Sequence, residues 1–570
     1  MAEEVWMLQT KKADFKQIGA RFRIDPVTAR IIRNRGIEGE AAIDRYLNGT
    51  LDDLYDPMLL KDMERAVSIL CEAVDTGKKI RIVGDYDIDG VCSTYILLQA
   101  FERLGSDVDF EIPDRIKDGY GINESIIEQA HADGVEVILT CDNGISAFHQ
   151  VELAKKYGMT VVITDHHEVP LDGEKEKIPP ADAVLDPKQA DCPYPFPEIC
   201  GAVVAYKLVQ VLYARRGVPQ MEWLDLLEFA AIATVGDVMK LQDENRILVK
   251  YGLKKMAQTK NLGLRRLAEK NNLDLGAITA YHIGFVIGPC LNAGGRLKTA
   301  KEALALLRAQ SEEEAERLAE ELKELNDTRK DMTEQGTEAA KLQVESWYQK
   351  DKVLVVFLPE YHESLAGIIA GRLREYYQKP AIVLTRGEEA VKGSGRSIDE
   401  YHMFKKLTEV SDLLLKFGGH PLAAGLSLEE KNIDEFRRRL NENAGLTEED
   451  FKAKVWIDVP MPVGYVTERL VRELSCLEPF GQGNEKPLFA EKSLRIRASR
   501  VLGRNRNVVK MTLEETDGHA IEALYFGDGT AFEEERAGRR EIDVVYYPDI
   551  NEYNGRKTLQ AVIRRYKFRG

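Results

Sequence analysis

Hydrophobic positions along this chain fall into short continuous runs separated by stretches of helical spacing, and three of the runs end in acid. Lys79-Lys-Ile-Arg-Ile-Val83 leads into Gly84-Asp85-Tyr86-Asp87-Ile88-Asp89-Gly90. Val135-Glu-Val-Ile-Leu-Thr140 leads into Cys141-Asp142-Asn143-Gly144, and Thr160-Val-Val-Ile-Thr164 into Asp165-His166-His167. Val- and Ile-rich runs without polar alternation predict strands buried on both faces, as in a parallel sheet. Residues 93–104 and 145–157 supply crossover helices after the first two runs. Ligands of such sheets sit beyond the carboxyl ends of the strands, so five aspartates and two histidines are expected at one sheet edge. Carboxylates that close repel one another unless cations lie between them, and the pattern predicts a site for more than one divalent ion.

The same pattern divides the rest of the chain. Residues 1–45 read as a small helical leader, and 46–300 alternate strand and helix as an α/β unit does. Residues 201–215 and 223–233 read as buried helices, the second running towards Gly236-Asp237. Residues 301–349 predict a long charged connecting helix, with Leu318, Leu322 and Leu325 at helical spacing and an interruption at Gly336. Strands at 352–358 and 380–384 open a second α/β lobe over 350–454. Residues 455–570 hold short alternating strands with tight turns, at 493–498, 507–513, 521–526, 543–547 and 557–562, the pattern of a small β-barrel. The expected fold is therefore multidomain α/β: a parallel-sheet domain, a long helix, a second α/β domain and a C-terminal barrel.

Composition narrows the class. The 570 residues exceed one core, and 44% hydrophobic with 31% charged residues is ordinary for a soluble globular protein. There is no run of about 18 apolar residues to span a membrane. The start, Met1-Ala-Glu-Glu-Val-Trp6, lacks the basic and apolar regions of a secretory signal. Seven scattered cysteines without a CxxC pair fit a reducing cytosol, with neither a disulfide framework nor a zinc ribbon. A cytoplasmic location is expected. The net charge of −16 disfavours nonspecific nucleic-acid binding, yet it is unevenly spread. Residues 492–510 hold seven Lys or Arg and no acid, residues 556–569 hold six, and the helical stretch 312–345 carries much of the negative charge. Such runs are also what a solvated face looks like.

Asp85-x-Asp87-x-Asp89-Gly90 matches the opening of an EF-hand, but the twelfth position is Ile96 where a bidentate Glu belongs. A strand-to-helix turn with three carboxylates is the better reading. Asp142-Asn-Gly alone is ordinary turn chemistry; Asp165-His166-His167 after a buried strand is more telling, and Asp237 adds a carboxylate. Mixed carboxylate and imidazole ligands suit Mn2+, with Mg2+ or Zn2+ as alternatives. A pair of such ions serves in-line hydrolysis of phosphate esters or anhydrides. In the second lobe, Lys392-Gly-Ser-Gly-Arg-Ser397 and Phe417-Gly-Gly-His420 read as glycine-rich turns suited to an anion, and Asn292-Ala-Gly-Gly-Arg296 adds a guanidinium. Together they suggest a phosphate chain held between two lobes. Neither a Walker A nor a GxGxxG pattern is present.

The set Gly84–Gly90, Asp142-Asn-Gly144, Asp165-His-His167 and Gly236-Asp237 resembles the four motifs of the DHH phosphoesterase superfamily. Its order and spacing, with Leu291-Asn-Ala-Gly-Gly-Arg-Leu297, Gly393-Ser-Gly-Arg-Ser397, Phe417-Gly-Gly-His420 and Glu478-Pro-Phe-Gly-Gln-Gly-Asn484, are similar to the RecJ family within it. The resemblance implies a 5′-to-3′ exonuclease of single-stranded DNA, acting in repair and recombination, with an OB-fold as its barrel. It implies two divalent ions, Mn2+ or Mg2+, held by Asp85, Asp87, Asp89, Asp142, His166 and Asp237, with Asp142 bridging. His167, with Asp142, Asp87 and Asp89, would act on the scissile phosphate. Arg296, Ser394, Gly395 and Arg396 would hold the 5′ end, and His362 and His420 would touch substrate. A monomer working beside a single-strand-binding protein and a helicase, away from membranes, follows from the same likeness.

The chain departs from the family pattern at Ile88, usually small, at Asp186, usually Asn, and near Val508, where a histidine is usual. Clustered arginines with Tyr547, Tyr553, Tyr566 and Phe568 in the barrel fit a single-strand groove. Two other readings compete. A hydrolase of short oligonucleotides or cyclic dinucleotides would not need the barrel, and a non-catalytic scaffold would have lost key acids that are all present.

Overall fold

The computed structural model describes residues 4–115, 117–553 and 555–569, and all side chains among them except those of 553 and 556. Tyr553, expected among the barrel aromatics, lies outside the described side chains. Contacts divide the chain into two units. One comprises mainly Tyr55–Met239 and Tyr251–Ala453; the other comprises Trp6–Leu54, Lys240–Lys250 and Lys454–Gly570.

The first unit opens on five parallel strands: β1 (Ile80–Val83), β2 (Val108–Glu111), β3 (Val137–Cys141), β4 (Thr160–Thr164) and β5 (Ala183–Leu185). Their order is β2-β1-β3-β4-β5. β1 and β3 are buried along their whole length, as continuous apolar runs require. The winding reverses between β1 and β3, so the loops after them splay apart into a crevice. Helix α1 (Ile88–Arg103) begins five residues earlier than expected because Asp87 caps it, accepting from the amides of Asp89 and Gly90. The other helices at this edge are α2 (Gly201–Arg216), α3 (Leu227–Gly236) and α4 (Gly288–Leu297). The helix expected at 223–233 is split, with Gln220–Leu224 separate from α3.

The connecting helix is also two pieces. Lys301–Arg308 ends before Ser311, whose side chain caps α5 (Glu312–Gln343) through the Glu314 amide. At 32 residues α5 is about 48 Å long. Gly336 does not interrupt it. A Cβ there would lie 2.6 Å from Cδ1 of Ile369, so the glycine lets α6 (Ala366–Tyr377) pack closely.

The second sheet has five strands: β6 (Leu354–Phe357), β7 (Ala381–Arg386), β8 (Val391–Arg396), β9 (Leu414–Gly419) and β10 (Ala423–Leu428), in the order β9-β10-β8-β7-β6. The sequence predicts only β6 and β7. The glycine-rich segments read as loops form β8, β9 and β10. Glycine weakens a strand unless packing demands it, and at Gly393 of β8 it does: a Cβ there would lie 2.5 Å from Leu384.

The second unit holds a closed barrel of β11 (Phe489–Leu502), β12 (Val508–Glu514), β13 (Ala520–Phe526), β14 (Glu541–Tyr553) and β15 (Arg556–Phe568), closed by pairing of β11 with β14. These strands exceed the expected segments because exposed polar positions inside them resemble turns. The leader helices fold with the barrel: Ile31, Ile32 and Tyr46 share one core with Phe489, Val509 and Ile542. Arg246 stacks on Tyr46 at 3.9 Å and donates to the carbonyls of Tyr46, Cys476 and Leu477. Tyr566 and Phe568, expected as free stacking faces, instead pack on Phe532 at 4.8 and 5.1 Å. Among the described residues no helix is long and apolar enough to cross a membrane.

Candidate active site

Each acid at the crevice is fixed by backbone. Asp85, just after β1, accepts from the Gly121 amide at 3.1 Å through Oδ1, while its Oδ2 is buried without a partner. Asp89 accepts at 2.7 and 2.8 Å from the amides of Gly201 and Ala202, so the N-terminus of α2 holds both its oxygens. Asp142 follows β3 with φ of 60°, a left-handed conformation that Asp tolerates. α2 approaches so closely there that a Cβ on Gly201 would lie 2.7 Å from that of Asp142. Asn143 ties the two strand ends together, donating to Val83 and Cys141 carbonyls and accepting from the Ile122 amide. Asp237 closes the end of α3. Ile88 fills the space beside it, since a Cβ on Gly236 would lie 2.6 Å from Ile88.

Nε2 of His166 lies 3.1 Å from Asp142, 3.5 Å from Asp89 and 3.8 Å from Asp237. Potential ligand atoms gather within 4.8 Å in three overlapping groups here: Asp85, Asp87 and Asp142; Asp89, His166 and Asp237; and Asp142, His166 and His167. Asp142 joins two of them. His167 turns to Asp165, with Nδ1 and Oδ1 2.8 Å apart. Asp165 also accepts from the Ile145 and His166 amides, so it positions His167 rather than joining the cluster. Tyr120 donates to the Asp142 carbonyl at 2.5 Å and lies 3.1 Å from the His167 ring.

Burial and repulsion among neighbours push the carboxyls of Asp85, Asp87 and Asp142 above the usual range, and that of Asp237 up to about 8. Burial lowers His166 and keeps it neutral, as a ligand must be. Burial also opposes charge on His167, but the Asp165 hydrogen bond, together with the charges of Asp165, Asp237 and Asp89, outweighs it and raises His167 to about 9. Asp85 Oδ2, Asp142 Oδ1 and His166 Nδ1 are buried without hydrogen-bond partners. Crowded acids with orphaned oxygens and one neutral imidazole fit divalent cations of the Mn2+ or Mg2+ kind.

Beside this rim lies a cavity of about 930 Å³. α4 packs on the acidic turn: a Cβ on Gly295 would lie 2.3 Å from the Tyr86 carbonyl, which brings Arg296 to the cavity wall. Arg296 donates to the Ser364 carbonyl at 3.1 Å. Burial and the nearby guanidinium of Arg115 lower its pKa to about 10. Arg396 donates to Ser394 Oγ at 3.2 Å and to the Gly395 carbonyl at 2.8 Å, and is lowered by burial and Arg115 as well. A Cβ on Gly367, in the first turn of α6, would sit 2.9 Å from both Arg396 and Ser394. Guanidiniums facing a helix N-terminus create a strong demand for an anion.

Comparison with known proteins now fits this geometry. The DHH family N-terminal domain matches residues 79–234, the DHHA1 domain 350–445 and the RecJ OB domain 457–565. A single-stranded-DNA-specific exonuclease RecJ from Bacillus subtilis is 36% identical over 564 residues, covering 98% of this chain and 70% of that protein. The chain belongs to the RecJ family. Among solved structures, RecJ from Thermus thermophilus in complex with Mn2+ matches with a TM-score of 0.84 at 28% identity, covering 99% of this chain and 79% of that one. Its complex with Mg2+ matches at 0.77 with 28% identity, covering 99% and 78%.

Among the family motif residues, Asp85, Asp87, Asp89, Asp142, His166 and Asp237 stand at one rim, and Arg296, Ser394 and Arg396 line one cavity. Three others stand elsewhere. Gly395 faces away, where its Cβ would meet Met403 and Ile382, because neighbours on a strand alternate faces. His362 caps a short turn, with Nδ1 2.7 Å from Ser364 Oγ, and so holds Ser364 in place. His420 is exposed at the hairpin between β9 and β10. Sequence reasoning missed Arg115, Tyr120 and Asn143. The first two lie in the irregular segment after β2, where no periodicity marks them; Asn143 sits in a motif that also reads as a plain turn.

Proposed function

We propose that this chain is a metal-dependent exonuclease that degrades single-stranded DNA from the 5′ end to mononucleotides, in DNA repair and recombination. One observation carries the reading: an acidic rim with Asp142 at its joint adjoins, through Tyr86 and α4, a cavity walled by Arg296 and Arg396. Asp85, Asp87 and Asp142 would hold one ion, and Asp142, Asp89, His166 and Asp237 a second. When bound, the ions polarise the phosphodiester and the attacking water. Arg296, Ser394 and Arg396 grip the terminal phosphate and so place the first internucleotide bond at the rim. His167, kept protonated by Asp165, donates to the scissile phosphate.

By this division residues 46–300 carry the chemistry, 350–454 the end binding and 455–570 the hold on the strand. A single-strand-binding protein and a helicase, which keep strands open, are the partners this reading implies for a cytoplasmic monomer. The deciding experiment digests end-labelled single-stranded and duplex DNA with Mn2+, with Mg2+ and with chelator. Mononucleotides should leave from the 5′ end of single strands only, and only with metal. Release under chelator, or from the 3′ end, defeats the reading.

A further inference from the structure

The cavity extends well past the grip on one phosphate. From Arg396 the face of β8 that lines it runs through Ser394 to Lys392, about 13 Å at the rise of a strand. Strand register carries the lining sideways. Ser394 pairs with Gly425 of β10 and Gly425 with Gly418 of β9; one step along, Lys392 pairs with Ser427 and Ser427 with Lys416. All six residues line the same cavity. A Cβ on Gly418 or Gly425 would meet nothing within 4 Å, and neither has positive φ, so no packing or backbone demand explains these glycines. They leave a bare strip of floor, about 10 Å across two strand spacings, flanked by a Lys-Ser-Lys row.

The charge there is not internally balanced. Basic side chains on the lining outnumber acidic ones seven to two. Of the two acids, Glu375 pairs with Arg374 at 3.3 Å, and Glu363 lies on the wall near Gly387. Lys392 and Lys416 have no ion-pair partner among the described residues. On the end-binding reading, a terminal monophosphate with roughly two negative charges would engage Arg296, Ser394 and Arg396 and leave the Lys392 and Lys416 side of the strip free.

We propose that the strip over Gly418 and Gly425, with Lys392, Ser427 and Lys416, receives the outer two phosphates of a 5′-triphosphate, and that triphosphate-ended strands are substrates. This rests on the end-binding reading above. One water attacks the phosphorus between the first and second nucleotides and the bond to the first sugar's 3′ oxygen breaks. That oxygen leaves with a proton as a hydroxyl. The products are a nucleoside 5′-triphosphate and a strand shortened by one, with a new 5′-monophosphate. Ends of this kind come from reactions that start a strand on a nucleoside triphosphate.

The test uses the full chain with Mn2+ and 3′-labelled oligodeoxynucleotides ending in 5′-monophosphate or 5′-triphosphate, with released nucleotides separated by anion exchange. The triphosphate strand should be cut within about threefold of the monophosphate strand, releasing nucleoside triphosphate in the first turnover. Lys392→Ala with Lys416→Ala, and separately Gly425→Leu, should slow the triphosphate strand about tenfold and the monophosphate strand less than about twofold. A wild-type protein that degrades the monophosphate strand and refuses the triphosphate strand overturns the proposal. So do variants that slow both strands equally, or release of dinucleotides from the monophosphate strand, which would give the strip to a nucleotide. If the monophosphate strand itself is untouched, the end-binding reading falls first.

Discussion

At the carboxyl edge of the first sheet, acids crowd around a neutral imidazole; on the far side of α4, guanidiniums crowd around a cavity. Both clusters are like-charged and half-balanced, but they are built differently. The acids are short side chains pinned by amides: Asp89 by two, Asp87 by two, Asp85 by one. Their oxygens have nowhere to relax. The arginines are long, and only some of their donors are taken, by the Ser364 and Gly395 carbonyls and Ser394 Oγ. A pinned cluster demands one kind of partner at fixed positions, while an adaptable one tolerates variation in what it grips. Substitution at the rim should therefore cost far more than substitution in the cavity.

The largest effect should come from Asp142→Asn. It removes charge at the joint of the ligand groups without changing shape, and kcat should fall by about 10³-fold or more. Affinity for a single strand should change less than about threefold, since the grip on DNA lies elsewhere. Turnover within tenfold of wild type would unseat Asp142 from the joint.

Next in size is Arg396→Ala. It should raise KM for 5′-phosphorylated strands by about 10- to 100-fold with little change in kcat, as removal of a charge-assisted bidentate grip does. Strands ending in 5′-hydroxyl should lose less than about threefold. Equal loss on both ends would make Arg396 a general DNA-binding group and erase the contrast between the two clusters.

A smaller effect is thermodynamic. Asp237 rises to about 8 in the fold from an ordinary carboxyl value, with Asp85, Asp87 and Asp142 shifted the same way. A carboxyl whose folded pKa is raised contributes its stability below the unfolded pKa and loses it as pH rises towards the folded value. In chelator, Tm should therefore fall between about pH 4 and pH 8, over and above any general trend. Saturating Mn2+ should flatten that slope and raise Tm near neutrality by a few degrees, because the ion binds only the folded form. A metal-independent slope would mean the acids are not meeting at a cation site.

The contrast also explains what the sequence made legible. Each rim acid ends a buried apolar run or opens the helix after it, and parallel sheets put such positions on one edge, so periodicity alone leads to the crevice. The cavity has no such grammar. Its cations come from a loop after β2 (Arg115), a helix end (Arg296), a helix face (Arg372, Arg374) and two strands (Lys392 and Arg396 on one, Lys416 on the other). The strands among them were disguised by glycines, of which Gly393 makes sense only in the packed sheet and Gly418 and Gly425 only in the cavity. Gly336 misled in the same way, since a close helix approach and a helix break look identical in one dimension. Arg246 and the leader helices joined the barrel through packing between positions hundreds of residues apart, which no local pattern carries.

The smallest effect per residue belongs to the barrel, where charge is neither pinned nor crowded. Arg495, Arg500 and Arg504 are exposed and form no ion pair among the described residues, whereas Arg497 and Lys510 in the same hairpin are tied to Glu514 and Glu522. The free three suit binding to phosphates, and the tied two fit the solvated face that a basic run also resembles. Replacing the three by Ala should leave hydrolysis of a very short strand unchanged. It should weaken binding of a long strand by about an order of magnitude at moderate salt, and reduce the slope of log affinity against log salt by about one for each phosphate no longer neutralised. Replacing Arg497 and Lys510 should leave that slope in place. If the two sets behave alike, charge on the barrel is only solvation, and the hold on the strand rests with the cavity alone.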